Sequence, residues 1–168
     1  MRQDIDEEAP AAANAIARKA IEGGVQALGL NLASIENAAQ FDVLMDGIDA
    51  DKTSLHFLHA LDLQALIGRI QALPGNKSAG GSLNADPLGD YLINGAAAGP
   101  LDEKMDVLLQ SLRELKQTLP HYTLINLNGS LYHNAGGSIV QELAFSMSQA
   151  SEYLARLTEK GVPVDEAA

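Results

Sequence analysis

Three groupings in this chain are of types and spacings that can carry chemistry. Tyr132-His133 sets a phenol beside an imidazole, the pairing of a general acid with a general base. It follows a β-rich run, and groups at the end of a strand are well placed for such work. Gly136-Gly137, flanked by Asn134 and Ser138, opens a helix, and amides at a helix N-terminus can cradle a phosphate. No Lys or Arg is adjacent, and a tight loop that lets helix and sheet approach closely uses the same glycines. His56-x-x-His59 holds two metal-ligand side chains. On a strand, however, positions i and i+3 point to opposite faces, and no third ligand stands near, so these read as ordinary strand-end histidines.

The elements that must position these groups alternate. Residues 1–8 read as a flexible lead-in. Ala9–Glu22 is an alanine-rich helix with Pro10 in its first turn and Gly23-Gly24 as its stop. Val25–Leu32 reads as a buried strand and Ile35–Ile48 as a helix. Thr53–Leu58 is a second strand, and Leu61–Leu73 is a helix ended by Pro74-Gly75. A small-residue loop, Asn76–Gly81, leads to a short third strand at Ser82–Asn84, then a helix over Asp86–Ile93 and a loop over Asn94–Pro100. Leu101–Leu119 carries a clear apolar stripe, with Asp102 and Glu103 in the first turn, where the helix dipole favours them. Tyr122–Leu127 is the fourth strand. Ser138 and Gln141 have capping-box spacing. They open a last helix whose Val140, Leu143, Ala144, Met147, Leu154 and Leu157 read as a core stripe, before Gly161 and Pro163 end it.

About four strands alternating with helices predict a parallel α/β sheet, because each parallel return needs a crossover. Nothing in composition splits the chain, so a single domain over residues 1–168 is expected. A doubly wound sheet and a segment of a (β/α) barrel both fit this pattern.

Composition narrows the function classes. The chain has 168 residues, no cysteine, 4% aromatic residues and a formal net charge of −11. The missing thiols exclude a disulfide framework, a thiolate metal site and a cysteine nucleophile. The negative charge argues against nucleic acid and against an anionic membrane surface. No apolar run approaches the roughly 18 residues of a membrane span. The acidic first residues do not form a signal peptide, and a cytoplasmic location is expected.

The run Asn126–Leu154, with its core Asn134-Ala-Gly-Gly-Ser-Ile-Val-Gln-Glu-Leu-Ala-Phe145 followed by Glu152-Tyr-Leu154, resembles the barrel domain of methylmalonyl-CoA mutase. Phe41–Ile48 is similar to the family's helix after the first barrel strand, and Gly81–Gly89 to its third-strand segment. The resemblance runs in order from about Glu7 to the last helix. It implies half of an eight-stranded TIM-type (β/α) barrel. It also implies the family reaction, a radical interconversion of methylmalonyl-CoA and succinyl-CoA started by adenosylcobalamin. The chemistry belongs to that cofactor.

Departures from the family pattern shape the expectation. None of His56, His59, His121 or His133 stands in the family's Asp-x-His-x-x-Gly setting, so this segment is expected to bind no cobalamin. Aligned on Ala135-Gly136, the family's catalytic Tyr-His positions fall on Ser130 and Leu131, and Tyr132-His133 comes two residues late. The family's long loop after the first strand is shortened to about Ala33–Ala39. The resemblance therefore implies the non-catalytic small subunit, a structural partner of a large catalytic mutase chain in a heterodimer. Of the family's substrate contacts it keeps a hydroxyl at Ser82 with Asn84 beside it. A further serine is replaced by Gly80, and contact with a CoA thioester stays open. A different reading is a free-standing α/β module that binds a phosphorylated ligand at Gly136-Gly137. Four strands would also leave two open sheet edges, met either by a longer chain or by a second copy.

Overall fold

A computed structural model describes residues 1–60, 62–75 and 80–167. In chain order the elements are β1 (Arg2–Ile5), α1 (Pro10–Glu22), β2 (Ala27–Asn31), α2 (Ala38–Met45), β3 (Ser54–Leu58), α3 (Leu63–Ala72) and β4 (Gly81–Ala85). There follow α4 (Pro87–Asn94), a 3-10 turn at Gly95–Ala98, α5 (Leu101–Thr118), β5 (Tyr122–Ile125), α6 (Ser130–Asn134), α7 (Ile139–Glu159) and α8 (Val164–Ala167). The expected start of the third helix at Leu61 and most of the expected loop, residues 76–79, lie outside the described residues.

The sheet order is β1-β2-β3-β4-β5, and every neighbouring pair is parallel. Each crossover therefore steps to the next strand in the same direction. A doubly wound sheet would reverse its order at a switch point, and among the described strands no reversal occurs. The result is a parallel α/β fold with the strand order of a partial (β/α) barrel.

Among the described residues the strands number five rather than four, because residues 2–5 are a strand and not a lead-in. Arg2, Gln3, Asp4 and Ile5 pair in register with Ala27, Leu28, Gly29 and Leu30, and Gln26 N–H donates to Met1 O at 3.3 Å. Only Ile5 of the four is buried, so an edge strand built largely of polar residues carries no apolar run to announce it.

The chain divides into two compact units. One comprises Met1–Ala85 and Gln110–Ile125, the other Asp86–Leu109 and Asn126–Ala168. The first holds the sheet. Leu28, Leu30, Leu55, Phe57, Leu83 and Leu124 are buried on its covered face, with Ala13, Ala17, Leu66, Ile67, Ile70 and Leu115 from the helices. The Phe41 and Phe57 rings lie 5.9 Å apart. Buried Asn14 of α1 donates from Nδ2 to the Leu44 and Asp46 carbonyls, at 2.9 and 2.8 Å, and so satisfies the frayed end of α2. Asn37 and Asp62 cap α2 and α3 through their side chains.

The second unit is organised by Asp86, the N-cap of α4. Its Oδ1 accepts the Gly89 N–H, the Gln149 amide at 2.7 Å and the Tyr153 hydroxyl at 2.7 Å. Along α7 the buried residues are Gln149, Tyr153 and Leu157, spaced by four. The stripe expected to be core is turned out instead: Val140 is 76% exposed, Leu143 62% and Met147 63%. Leu157 alone of the expected apolar set is fully buried. Periodicity identifies an apolar face but does not say what covers it; here the hydrogen bonds of Gln149 and Tyr153 fix which face turns inward.

Candidate active-face residues

Parallel register places one residue from each strand in a line across the sheet: Asp4, Gly29, His56, Ser82 and Thr123. Alternation puts this line on the face opposite the buried leucines. The line is polar throughout, with glycine at its second place. A Cβ at Gly29 would sit 1.9 Å from Asp4 Oδ1 and 2.9 Å from an Arg2 guanidinium nitrogen, so the Arg2–Asp4 ion pair, 2.6 Å long, folds over Gly29 toward His56.

Half-buried His56 has both ring nitrogens engaged. Nδ1 lies 2.8 Å from Ser82 Oγ and Nε2 lies 3.2 Å from Ser54 Oγ. Ser54 in turn donates to the Gly80 carbonyl at 2.6 Å. Burial, then the positive charge of Arg2, holds the imidazole below its ordinary pKa, with Asp4 opposing.

Ser82 is buried, at 8% exposure. Asn84 has φ of 50°, a left-handed conformation that asparagine tolerates better than most residues. The β4–β5 pairing shifts register between Ser82 and Ala85, and Asn84 Nδ2 donates to the Phe57 carbonyl at 2.8 Å. The two residues that the resemblance marks as substrate contacts thus lie on one strand, each tied to β3. Gly80 takes its place because a side chain there would meet the His121 carbonyl oxygen, 2.3 Å from the Cβ position.

The other groupings separate. His59 is exposed just after β3, with φ of 57°, and does not join His56. In the second unit, Tyr132 lies on α6, a short helix in a stretch that reads as loop. Its ring packs on Phe145 at 5.3 Å and its hydroxyl donates to Gln149 Oε1 at 2.9 Å. Burial and nearby Asp86 raise the Tyr132 pKa. His133 is largely exposed, with Nδ1 3.4 Å from Glu142 Oε2. The tyrosine and histidine therefore turn to different partners, and the phenol is held by a structural hydrogen bond.

Gly136 N–H donates to the His133 carbonyl and Gly137 N–H to the Tyr132 carbonyl. Ser138 N–H donates to Gln141 Oε1 within a complete capping box. The amides of Gly136, Gly137 and Ser138 are thus engaged by the end of α6 and the start of α7. Among the described residues no group of three His, Asp or Glu could hold a metal ion, and no helix is long and apolar enough to cross a membrane.

Sequence reasoning passed over His56 as a partner of Ser82, and over the Asp86–Gln149–Tyr153 set. Signals for both exist. Ser54-x-His56 shares one strand face, and Gln149, Tyr153 and Leu157 share one helix face.

Comparison with known proteins places these residues. The family profile for methylmalonyl-CoA mutase matches residues 2–168. A methylmalonyl-CoA mutase of Rhizobium meliloti (strain 1021) is 25% identical over 152 residues, covering 87% of this chain and 21% of its own length. A methylmalonyl-CoA mutase large subunit of Streptomyces virginiae is 27% identical over 151 residues, covering 86% of this chain and 20% of its own. A 2-hydroxyisobutanoyl-CoA mutase large subunit of Aquincola tertiaricarbonis is 26% identical over 139 residues, covering 79% and 25%. The chain thus spans about a fifth to a quarter of the length of these curated relatives. With a profile match over nearly every residue and the sequential parallel strands of a partial (β/α) barrel, the chain belongs to the methylmalonyl-CoA mutase family.

Proposed function

We propose that this chain supplies a barrel segment in the small-subunit role of a coenzyme A mutase, supporting a large catalytic subunit rather than performing the rearrangement. The observation that carries this reading is the stretch after β5. Ser130 and Leu131 stand where the family resemblance expects the reactive tyrosine and histidine. Tyr132, the next phenol, has its hydroxyl on Gln149 and its ring on Phe145. Ser82 and Asn84 on β4 are the residues that would face a CoA thioester. The assembled enzyme works with adenosylcobalamin in cells, in a cytoplasmic setting.

His56 and His133 do not fit the role of a cobalamin ligand. His56 has both ring nitrogens on serine hydroxyls and His133 has one on Glu142, and the family's ligand motif is missing.

Two measurements test the proposal. The chain is expected to co-purify with a large mutase subunit in fixed stoichiometry. In that complex, Tyr132→Phe is expected to leave turnover within about twofold. A loss of about a hundredfold or more, the scale of a missing acid–base group, would make Tyr132 reactive and end the scaffold reading.

A further inference from the structure

The Ser54–His56–Ser82 line fixes where its protons sit. Ser54 has one hydroxyl proton, and the Gly80 carbonyl 2.6 Å away can only accept. That proton is therefore spent on Gly80, and Ser54 Oγ can only accept from His56. Nε2 of His56 must then carry the hydrogen. In a neutral imidazole the other nitrogen, Nδ1, is bare and accepts. The partner of Nδ1 at 2.8 Å is Ser82 Oγ, so the Ser82 hydroxyl donates to it. The Ser82 proton is committed inward, and its lone pairs remain for any ligand.

We propose that His56 is a positioning residue that makes Ser82 a hydrogen-bond acceptor toward bound ligand, so that this place on β4 selects an amide N–H and discriminates against a carbonyl oxygen. The inference rests on the reading above that Ser82 faces the CoA thioester, whose pantetheine arm offers amide N–H groups. It also gives the sheet a polarity that depends on His56. A protonated imidazole would carry hydrogen on Nδ1 as well, and Ser82 would have to accept from it and turn its own proton outward. The charged groups that face His56 are Arg2 and Asp4 from β1, reaching across Gly29. β2 contributes glycine at this level, and β4 and β5 contribute the uncharged Ser82 and Thr123.

The test has a ligand-free arm and a ligand arm, both on the 168-residue chain. Nitrogen-15 NMR of His56 at pH 7.5 is expected to show the Nε2–H tautomer, and the Nδ1–H tautomer would overturn the inference. In the ligand arm, pantetheine is compared with analogues in which each amide N–H in turn is replaced by an ester oxygen. One replacement is expected to weaken binding about five- to tenfold, the worth of one neutral hydrogen bond. That preference should vanish in His56→Leu, return in His56→Asn, whose amide oxygen can accept from Ser82, and fall as His56 protonates in acid. A preference unchanged in His56→Leu would overturn the inference while leaving Ser82 a contact. Binding of both probes unchanged in Ser82→Ala would remove Ser82 from the ligand altogether, and with it both the acceptor role and the contact proposed above.

Discussion

The Tyr153 hydroxyl donates to Asp86 Oδ1 at 2.7 Å and at the same time accepts the Leu88 backbone N–H at 2.9 Å. One buried phenol thus satisfies both the cap of α4 and one of its orphan amides. Burial and the Asp86 charge push its pKa far up, so it stays a neutral donor across the working range. Tyr153→Phe strands the Leu88 amide and removes a charge-assisted bond. The expected loss is about 2–3 kcal/mol of unfolding free energy, measured by urea titration.

Two glycines in the sheet should respond unequally to an added methyl group. At Gly29 the Cβ would meet the ends of the exposed Asp4 and Arg2 side chains, which can swing away. At Gly81 it would lie 1.8 Å from the Leu55 carbonyl oxygen and 2.6 Å from the Tyr122 ring, and the backbone of β3 cannot yield. Gly29→Ala is expected to change stability by less than about 1 kcal/mol, and Gly81→Ala to cost about 3 kcal/mol or more. Thermal melts of the two variants side by side decide this.

His56 should make stability depend on pH below neutrality. Its ordinary pKa is 6.5, and burial together with Arg2 lowers it in the folded chain. Below about pH 6.5 the unfolded chain therefore binds a proton that the folded chain resists. The stability this group protects is fully present above that pH and is lost as pH falls toward the folded value. Urea midpoints at pH 7.5 and 5.5 are expected to differ more for the native chain than for His56→Gln. An equal difference would show that the acid response belongs to other groups.

The last helix offers a contrast between turned-out and buried apolar residues. Met147 is 63% exposed and Leu157 fully buried. Met147→Gln should stay within about 0.5 kcal/mol of the native stability, whereas Leu157→Ala should cost about 2–5 kcal/mol. Denaturation of the chain on its own makes the comparison.

The alternation of strands and helices was legible because buried parallel strands such as Ala27–Asn31 are short apolar runs, and because Ser138 with Gln141 marks the start of the last helix; the caps at Asn37, Asp62 and Asp86 emerge only from the structure. β1 was not legible, since an edge strand with one buried side chain has no apolar signature. The face of α7 was misread for a related reason. Its inward side is set by Gln149 and Tyr153, whose polar atoms find Asp86 63 and 67 residues away, a pairing no local period reveals. The same holds at Ser82. The residue could be picked out by resemblance, but its hydrogen-bond direction depends on His56 and Gly80, which only the sheet register brings beside it.

The straight hydrophilic line through Asp4, Gly29, His56, Ser82 and Thr123 also bears on how the sheet assembles. If any strand slid by one position, its member of that line would be driven among Leu28, Leu55 and Phe57, and a leucine would be pushed out in exchange. Misaligned pairings are thereby penalised on both surfaces at once. The chain thus carries its own alignment mark, written in side-chain polarity.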